Sequence, residues 1–379
     1  MKQPLLLLLI WSLWYINFSA KSITSPLMPL IEDDLVISHA MAGVLFFSFW
    51  IGNTISVFYA GFLSLRIGYR NSILVSFYGM TMTFVLLWFA STYLLFAVFL
   101  FLLGLASGLY LPCGIPLITA VFSRENWGKA ISFHETAAGF SMLTVPFFAA
   151  FIISVVYWKA VFLIMSGACL LIAVVFHTVS PDPRAEKGEK ADMWNIVRRK
   201  EFWIMTVLWC SCAIASMGIY NIVPLYLVKE RGIQIEAANT LFGISRIGGV
   251  IAMISVGFII DRFNLKKLLL VLILATGITT AAVAVIEVPW LLSTALFLQA
   301  TVCVMFFPAG LVAISKLTTL SERSVFTGVL MSMSGIIGPG LSPIILGAIA
   351  DIWSFQAGIL ASGLIITSTC FCVRSLKEV

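Results

Sequence analysis

Charge is what this sequence has least of. Lys, Arg, Asp and Glu make up 11% of its 379 residues, against about 25% in a soluble domain. Histidine occurs only three times, and no His sits at metal-ligand spacing. The seven cysteines include no C-x-x-C pair, and all fall inside apolar stretches. A disulfide framework and a metal centre are therefore not expected. A phosphate-binding glycine loop and a nucleophile motif are also lacking, so neither an enzyme nor a cofactor is expected. The formal charge of +6 does not point to nucleic acid here. What matters is how the basic residues are distributed along the chain.

Apolar residues are abundant: 61% of the chain is hydrophobic and the mean hydropathy is +1.06. No water-soluble core hides that much apolar surface, so the solvent is a lipid bilayer. Crossing its core takes about 20 apolar residues. Such runs occur near 5–28, 39–63, 71–91, 93–119, 129–154, 157–178, 201–228, 238–260, 267–286, 290–315, 325–349 and 353–373. The first run resembles a signal peptide, but it continues to about Met28 and its removal would leave an odd number of spans, so it reads as a retained helix. Ser180 to Lys200 is rich in Pro, Lys, Arg, Asp and Glu and reads as a solvated linker. The expected organisation is an N-terminal six-helix bundle over 1–178, a cytoplasmic linker over 179–200 and a C-terminal six-helix bundle over 201–379.

The basic residues orient the chain. With the N-terminus inside, the inner segments hold Lys2, Arg66, Arg70, Arg124, Lys129, Arg184, Lys187, Lys190, Arg198, Arg199, Lys200, Arg262, Lys266, Lys267, Lys316, Arg323, Arg374 and Lys377. The outer segments hold Lys159, Lys229 and Arg231. Cytoplasmic loops collect Lys and Arg, so both termini are expected in the cytoplasm of a bacterial-type inner membrane.

The two halves repeat. After the second span the chain reads Gly61-Phe-Leu-Ser-Leu65-Arg66-Ile-Gly68-Tyr-Arg70. After the eighth it reads Gly257-Phe-Ile-Ile-Asp261-Arg262-Phe-Asn264-Leu-Lys266. The offset is a constant 196 residues. Both copies resemble the loop signature of the major facilitator superfamily, G-x-x-x-D-R-x-G-R-[RK]. The resemblance implies an all-α membrane protein, a secondary transporter of twelve helices in two pseudo-symmetric six-helix bundles. In such a loop, glycine allows tight turns and close approach, and the Asp can latch one conformation by pairing with basic residues or capping a helix end. Gly61, Arg66, Gly68, Arg70, Gly257, Asp261 and Arg262 are thus the candidate gating loop. The first copy has Leu65 in place of the Asp.

Ionisable groups within spans are costly and are functional candidates by default. Lys21 lies on the first span. It either faces a cavity as an anion-binding ammonium or snorkels toward Glu32, Asp33 or Asp34. Arg246 lies about nine residues into the eighth span and cannot shed its charge. It must face water or a partner, with Glu135 as a structural alternative. A guanidinium fork suits a carboxylate. The repeat mates of Lys21 and Arg246 are Met217 and Trp50, so these charges break the repeat, as substrate-specific residues would. His134 and Glu135 on the fifth span point about 100° apart, and both are candidates for carrying a coupling proton, with a salt bridge or hydrogen bond to the loop at Arg124 or Lys129 as the alternative. Asn17, Tyr110, Tyr220, Asn221 and Gln299 complete the candidate substrate site, each with helix–helix hydrogen bonding as its alternative.

A Lys on the first helix with an Arg on the eighth is similar to the monocarboxylate porters. An Arg on the eighth helix is also shared with the related oxalate–formate exchangers. The segment from Phe122 to Gly139 is loosely similar to their fifth-helix pattern. Those carriers place an Asp four residues before the Arg, where this chain has Phe242. The resemblance implies a monocarboxylate or other small organic anion bound between Lys21 and Arg246 and moved by alternating access, with a proton as candidate co-substrate. The expected partners are the solute and the bilayer, with no nucleic acid, and the expected state is a monomer. The alternatives are an efflux antiporter for drugs or other hydrophobic molecules and a non-transporting receptor or scaffold of the same fold.

Overall fold

The structure is a computed structural model that describes residues 3–181, 193–260 and 262–376. Among them helices are the sole regular element. They are α1 Gln3–Ser22, α2 Thr24–Leu35, α3 His39–Phe89, α4 Tyr93–Gly108, α5 Tyr110–Val121, α6 Trp127–Val155, α7 Ala160–Val179, α8 Met193–Val197 and α9 Lys200–Ala213. They continue with α10 Ile219–Leu225, α11 Ile235–Ser245, α12 Ile247–Ile260, α13 Leu265–Val285, α14 Pro289–Leu317, α15 Leu320–Gly335, α16 Ser342–Ile352, α17 Phe355–Ser368 and α18 Cys370–Arg374. The helices divide into two compact units, Met1–Ile37 with Leu45–Lys187 and Ser38–Val44 with Gly188–Val379.

Among the described residues, ten helical stretches of at least 18 residues are apolar enough to cross a bilayer. The twelve expected spans map onto them for two local reasons. The second and third spans run together as α3 and are separated by a kink at Gly68, whose φ of 84° and ψ of 165° are non-helical. A positive φ is open to glycine at little steric cost, so this signature glycine turns the chain. The eighth span is split into α11 and α12 at Arg246, which leaves two helices too short to count singly. The second loop copy turns differently: Asn264, the repeat mate of Gly68, caps α13 by accepting from the Lys267 amide at 3.1 Å.

Within each unit, segments expected on the same side of the membrane meet. In the first unit Lys159 pairs with Asp34 at 2.9 Å and donates to the Ala90 carbonyl at 3.1 Å. Arg70 donates to the His177 carbonyl. In the second, Arg231 donates to Ile286 O at 2.9 Å, Lys266 to Arg374 O at 3.1 Å and Arg199 to Glu322. These contacts tie helix ends together within each unit.

The repeat is visible as matching close approaches. A Cβ added to Gly52 would lie 2.2 Å from Phe101 O and 3.1 Å from Leu105 N. One added to Gly248 would meet Thr301 at 2.0 Å and Phe297 at 2.7 Å. Each residue of the second set is 196 positions after its mate. The reciprocal pair matches too: Gly104 abuts Phe49 O and Asn53 N, and Gly249 faces Ala300 O. Small residues at these crossings let backbones touch, which is how helices gain packing energy in lipid. Gly61 and Gly257 behave otherwise. Around each lies open space out to 4 Å, so the close approach expected at these two signature glycines is absent.

Candidate functional site

Arg246 stands at the break between α11 and α12. Its φ of −85° and ψ of −12° stay in the right-handed helical region but tighten the turn, and its amide reaches back to Gly243 O at 2.9 Å. Discontinuous helices at membrane depth are tolerated where the freed backbone faces protein or a cavity. The side chain is 4% exposed. Its guanidinium carbon lies 4.9 Å from the Tyr220 ring centre and 4.8 Å from that of Phe242, and the two rings pack at 4.5 Å. Two ring faces attract a cation, but they accept no conventional hydrogen bond. Nε, Nη1 and Nη2 are all buried without a hydrogen-bond partner among the described residues. A buried charge is ordinarily paired and hydrogen-bonded. This one presents its whole donor fork unfilled.

The nearby amides are occupied differently. Gln299 donates to Ala215 O at 2.7 Å, and Asn221 donates to Pro339 O at 3.2 Å. Both carbonyls lie in π-helical turns, Ile214–Gly218 and Ile336–Leu341. Such turns loosen the helical ladder, and the amides satisfy the loosened carbonyls. The turns meet tightly, since a Cβ on Gly218 would lie 3.0 Å from Gly338 O. Asn221 and Gln299 thus hold the frame in which Tyr220 and Arg246 sit.

In the first unit, α1 and α6 are laced by polar pairs. Trp11 donates to Thr136 at 2.9 Å, Tyr15 meets Thr144 at 2.7 Å and Ser19 meets Ser141 at 3.0 Å. The spacing of four on α1 puts all three on one face. Asn17 donates to Ser107 O at 3.0 Å and Met80 Sδ at 3.7 Å, which ties α1 to α4. Lys21 is 9% exposed. Its Nζ lies 5.1 Å from the Trp14 ring centre and 5.9 Å from that of Trp50. Like Arg246, it rests against aromatic faces.

Below Lys21, Trp14 stacks on Tyr110 at 5.5 Å and on His134 at 5.6 Å. Tyr110 donates to Ile10 O at 2.9 Å and meets His134 Nε2 at 3.0 Å. His134 Nδ1 meets Glu135 Oε1 at 3.0 Å. The His134 side chain is fully buried and that of Glu135 is 43% exposed. Neighbours in sequence, the two face different surroundings and are joined by one hydrogen bond.

The loop candidates are spread out. Arg66 lies over the Phe62 ring at 4.2 Å. Arg70 bonds Asn71 at 3.4 Å besides His177 O. Arg262 donates its amide to Ile259 O at 3.1 Å. Asp261 lies outside the described residues. The aromatic supports, Trp14 for Lys21 and Phe242 for Arg246, are not among the residues expected at the site from sequence. Their signal was helical spacing: Phe242 is one turn before the arginine and Trp14 is two turns before the lysine.

A helical membrane chain built from repeated halves, with a buried cation where its eighth span tightens, points to one family of membrane proteins. The chain belongs to the Major Facilitator Superfamily, whose family model matches residues 10–289 and 222–377. It is a multi-pass membrane protein of that family. Protein TsgA of Shigella flexneri is 25% identical over 229 residues, and the match covers 58% of this chain and 57% of that protein. Among solved structures, a bacterial homologue of the human lysosomal transporter Spinster superposes with a TM-score of 0.85 at 13% identity, covering 99% of this chain and 98% of the other. A D-xylose–proton symporter does so with a TM-score of 0.77 at 17% identity, covering 95% and 96%. These likenesses establish the fold alone.

Proposed function

We propose that the protein carries a small organic anion, a monocarboxylate, across a bacterial inner membrane by alternating access, in symport with a proton and with both termini cytoplasmic. One observation carries the substrate class: Arg246 is buried, permanently charged and without a hydrogen-bond partner on any guanidinium nitrogen. A carboxylate supplies the missing charge and accepts two parallel N–H bonds. Phe242 is where the chain departs from the monocarboxylate porters, which place an Asp four residues before the arginine; its ring lies under Arg246 and brings no counter-charge. Lys21, cradled by Trp14 and Trp50 in its own unit, is the second cation assigned to anion handling. His134 and Glu135 are the groups assigned to the proton.

The test is a thermal-stability screen of the purified chain with monocarboxylates, dicarboxylates, sugars and cationic dyes. A ligand stabilises the state it occupies. Carboxylates are expected to raise the melting temperature of the wild type. Arg246→Gln is expected to weaken the best of them by at least about 100-fold, because hydrogen bonds to a charged group contribute about 1.5–3 kcal/mol each and the fork makes two. Stabilisation by sugars or dyes alone would reject the anion reading.

A further inference from the structure

We infer that His134 and Glu135 form a single proton-binding site whose proton lies on the Nδ1–Oε1 bond, with the imidazole tautomer fixed by Tyr110. The inference takes from the proposed function only the coupled proton, not the anion. It follows from counting hydrogens along one chain of contacts. Ile10 O is a backbone carbonyl and only accepts. Tyr110 has one hydroxyl hydrogen and donates it there, at 2.9 Å. The Tyr110 oxygen is then an acceptor toward His134 Nε2, 3.0 Å away. Nε2 therefore carries a hydrogen in every protonation state that keeps this contact.

That leaves Nδ1, 3.0 Å from Glu135 Oε1. A contact of this length needs one hydrogen between the two atoms. It sits either on Nδ1, giving imidazolium and carboxylate, or on Oε1, giving neutral imidazole and carboxylic acid. Both arrangements hold one exchangeable proton and have no net charge. The two side chains share that one proton. When the proton leaves to water through the part-exposed Glu135 side chain, neutral His134 and the Glu135 carboxylate remain, with a net charge of −1. Two lone pairs then face each other across the former bond. The bond opens, and Glu135 is freed to turn away. Loading and unloading one proton thus changes a side-chain position, which a coupled carrier requires.

The surroundings suit this role. Trp14 covers His134 and Tyr110 with a nearly parallel ring, so His134 has no direct route to water. Other charged and titratable groups near the pair can be named element by element. From α5 comes Tyr110, already bonded to it. From α1 comes Lys21, which interacts electrostatically with Glu135 and compensates the charge left when the proton departs. On α2, Glu32, Asp33 and Asp34 lie beyond the Ser22–Ser141 contact, and Asp34 is paired with Lys159. On α7, His177 is bonded to Tyr78 at 3.2 Å and Cys169 is buried.

The test is nitrogen NMR of the full chain, labelled with 15N-histidine and held in lipid nanodiscs. The signals are assigned through His39→Gln and His177→Gln. The pH runs from about 5 to about 8, where imidazole ordinarily titrates. In the wild type, Nε2 of His134 is expected to stay protonated throughout, and Nδ1 is expected to shift in one step. Glu135→Gln keeps a donor toward Nδ1 but carries no exchangeable proton, so its Nδ1 is expected to remain an acceptor with the step gone. Tyr110→Phe removes the acceptor that fixes the tautomer and is expected to show both neutral forms. A wild-type His134 protonated on Nδ1 with a bare Nε2 would overturn the inference. So would a Glu135→Gln protein that titrates like the wild type. No solute enters the experiment, so its outcome is separable from that of the anion screen.

Discussion

At the scale of the residue, Arg246 combines features that stability alone would not select. It is buried, it cannot neutralise itself, and its partners are two aromatic faces. Exchanging buried charged groups for apolar ones of similar volume often stabilises a protein by about 1–4 kcal/mol. Arg246→Met is therefore expected to raise the melting temperature of the ligand-free protein while removing its response to carboxylates. Parallel thermal scans with and without a carboxylate check both halves. A destabilised Arg246→Met protein would mean that the arginine serves the fold. The sequence disclosed this position because a charge in an apolar run is conspicuous. It disclosed the surroundings poorly, since Phe242 and Trp14 look like ordinary membrane residues until the helix turn sets them under a cation. For Asn221 and Gln299 the reading kept ligand contact and helix–helix bonding both open. Their amide donors reach carbonyls of π-helical turns, and no apolar pattern marks such a turn.

At the scale of the element, the glycines divide into two kinds. Gly52 and Gly104 lie against backbone atoms at 2.2 and 2.0 Å from a notional Cβ, whereas Gly61 and Gly257 face open space. Backbone cannot yield as a flexible side chain can, so Gly104→Ala is expected to separate two helices and to lower folded yield and melting temperature clearly. Gly61→Ala is expected to leave both near wild type. Fluorescence-detected size exclusion of the two variants distinguishes them. The helix ends show a second device. Glu322 Oε2 accepts from Arg199 Nη1 at 3.1 Å and from the Thr319 amide at 3.2 Å, fastening the start of α9 to the start of α15. The Arg199 hydrogen bond, followed by that of the Thr319 amide, holds the Glu322 carboxyl at about 2, below the ordinary 4.5. The same partner raises Arg199. A carboxyl lowered on folding stabilises the folded state above its unfolded value, and that contribution fades as pH falls from about 4.5 toward about 2. The tie is thus complete at neutral pH. In Arg199→Gln the Glu322 carboxyl is expected to titrate closer to the ordinary range, which carbon NMR of labelled glutamate reads directly.

At the scale of the whole molecule, much was legible in advance. Low charge and long apolar runs set the environment, and two loop copies at a constant offset set the family. The close approaches at Gly52 with Phe101 and at Gly248 with Phe297 show the same offset carried through helix packing. Two features were not legible. The polar stretch from Arg66 to Ser72 reads as a loop between two spans, yet the backbone stays helical through it and turns only at Gly68. The eighth span is broken at Arg246, because apolar residues flank the break on both sides. That break ties the scales together. A helix interrupted at its charge, inside a repeated fold whose other half has Trp50 in the equivalent place, marks where the chain departs from shared architecture. The most direct measurement is uptake of a radiolabelled monocarboxylate, the best hit of the stability screen, into proteoliposomes containing wild type or Arg246→Gln. The account expects an inward proton gradient to drive wild-type uptake above the protein-free background, and Arg246→Gln to fall to that background while still folding. Carboxylate uptake by Arg246→Gln at the wild-type rate would contradict it.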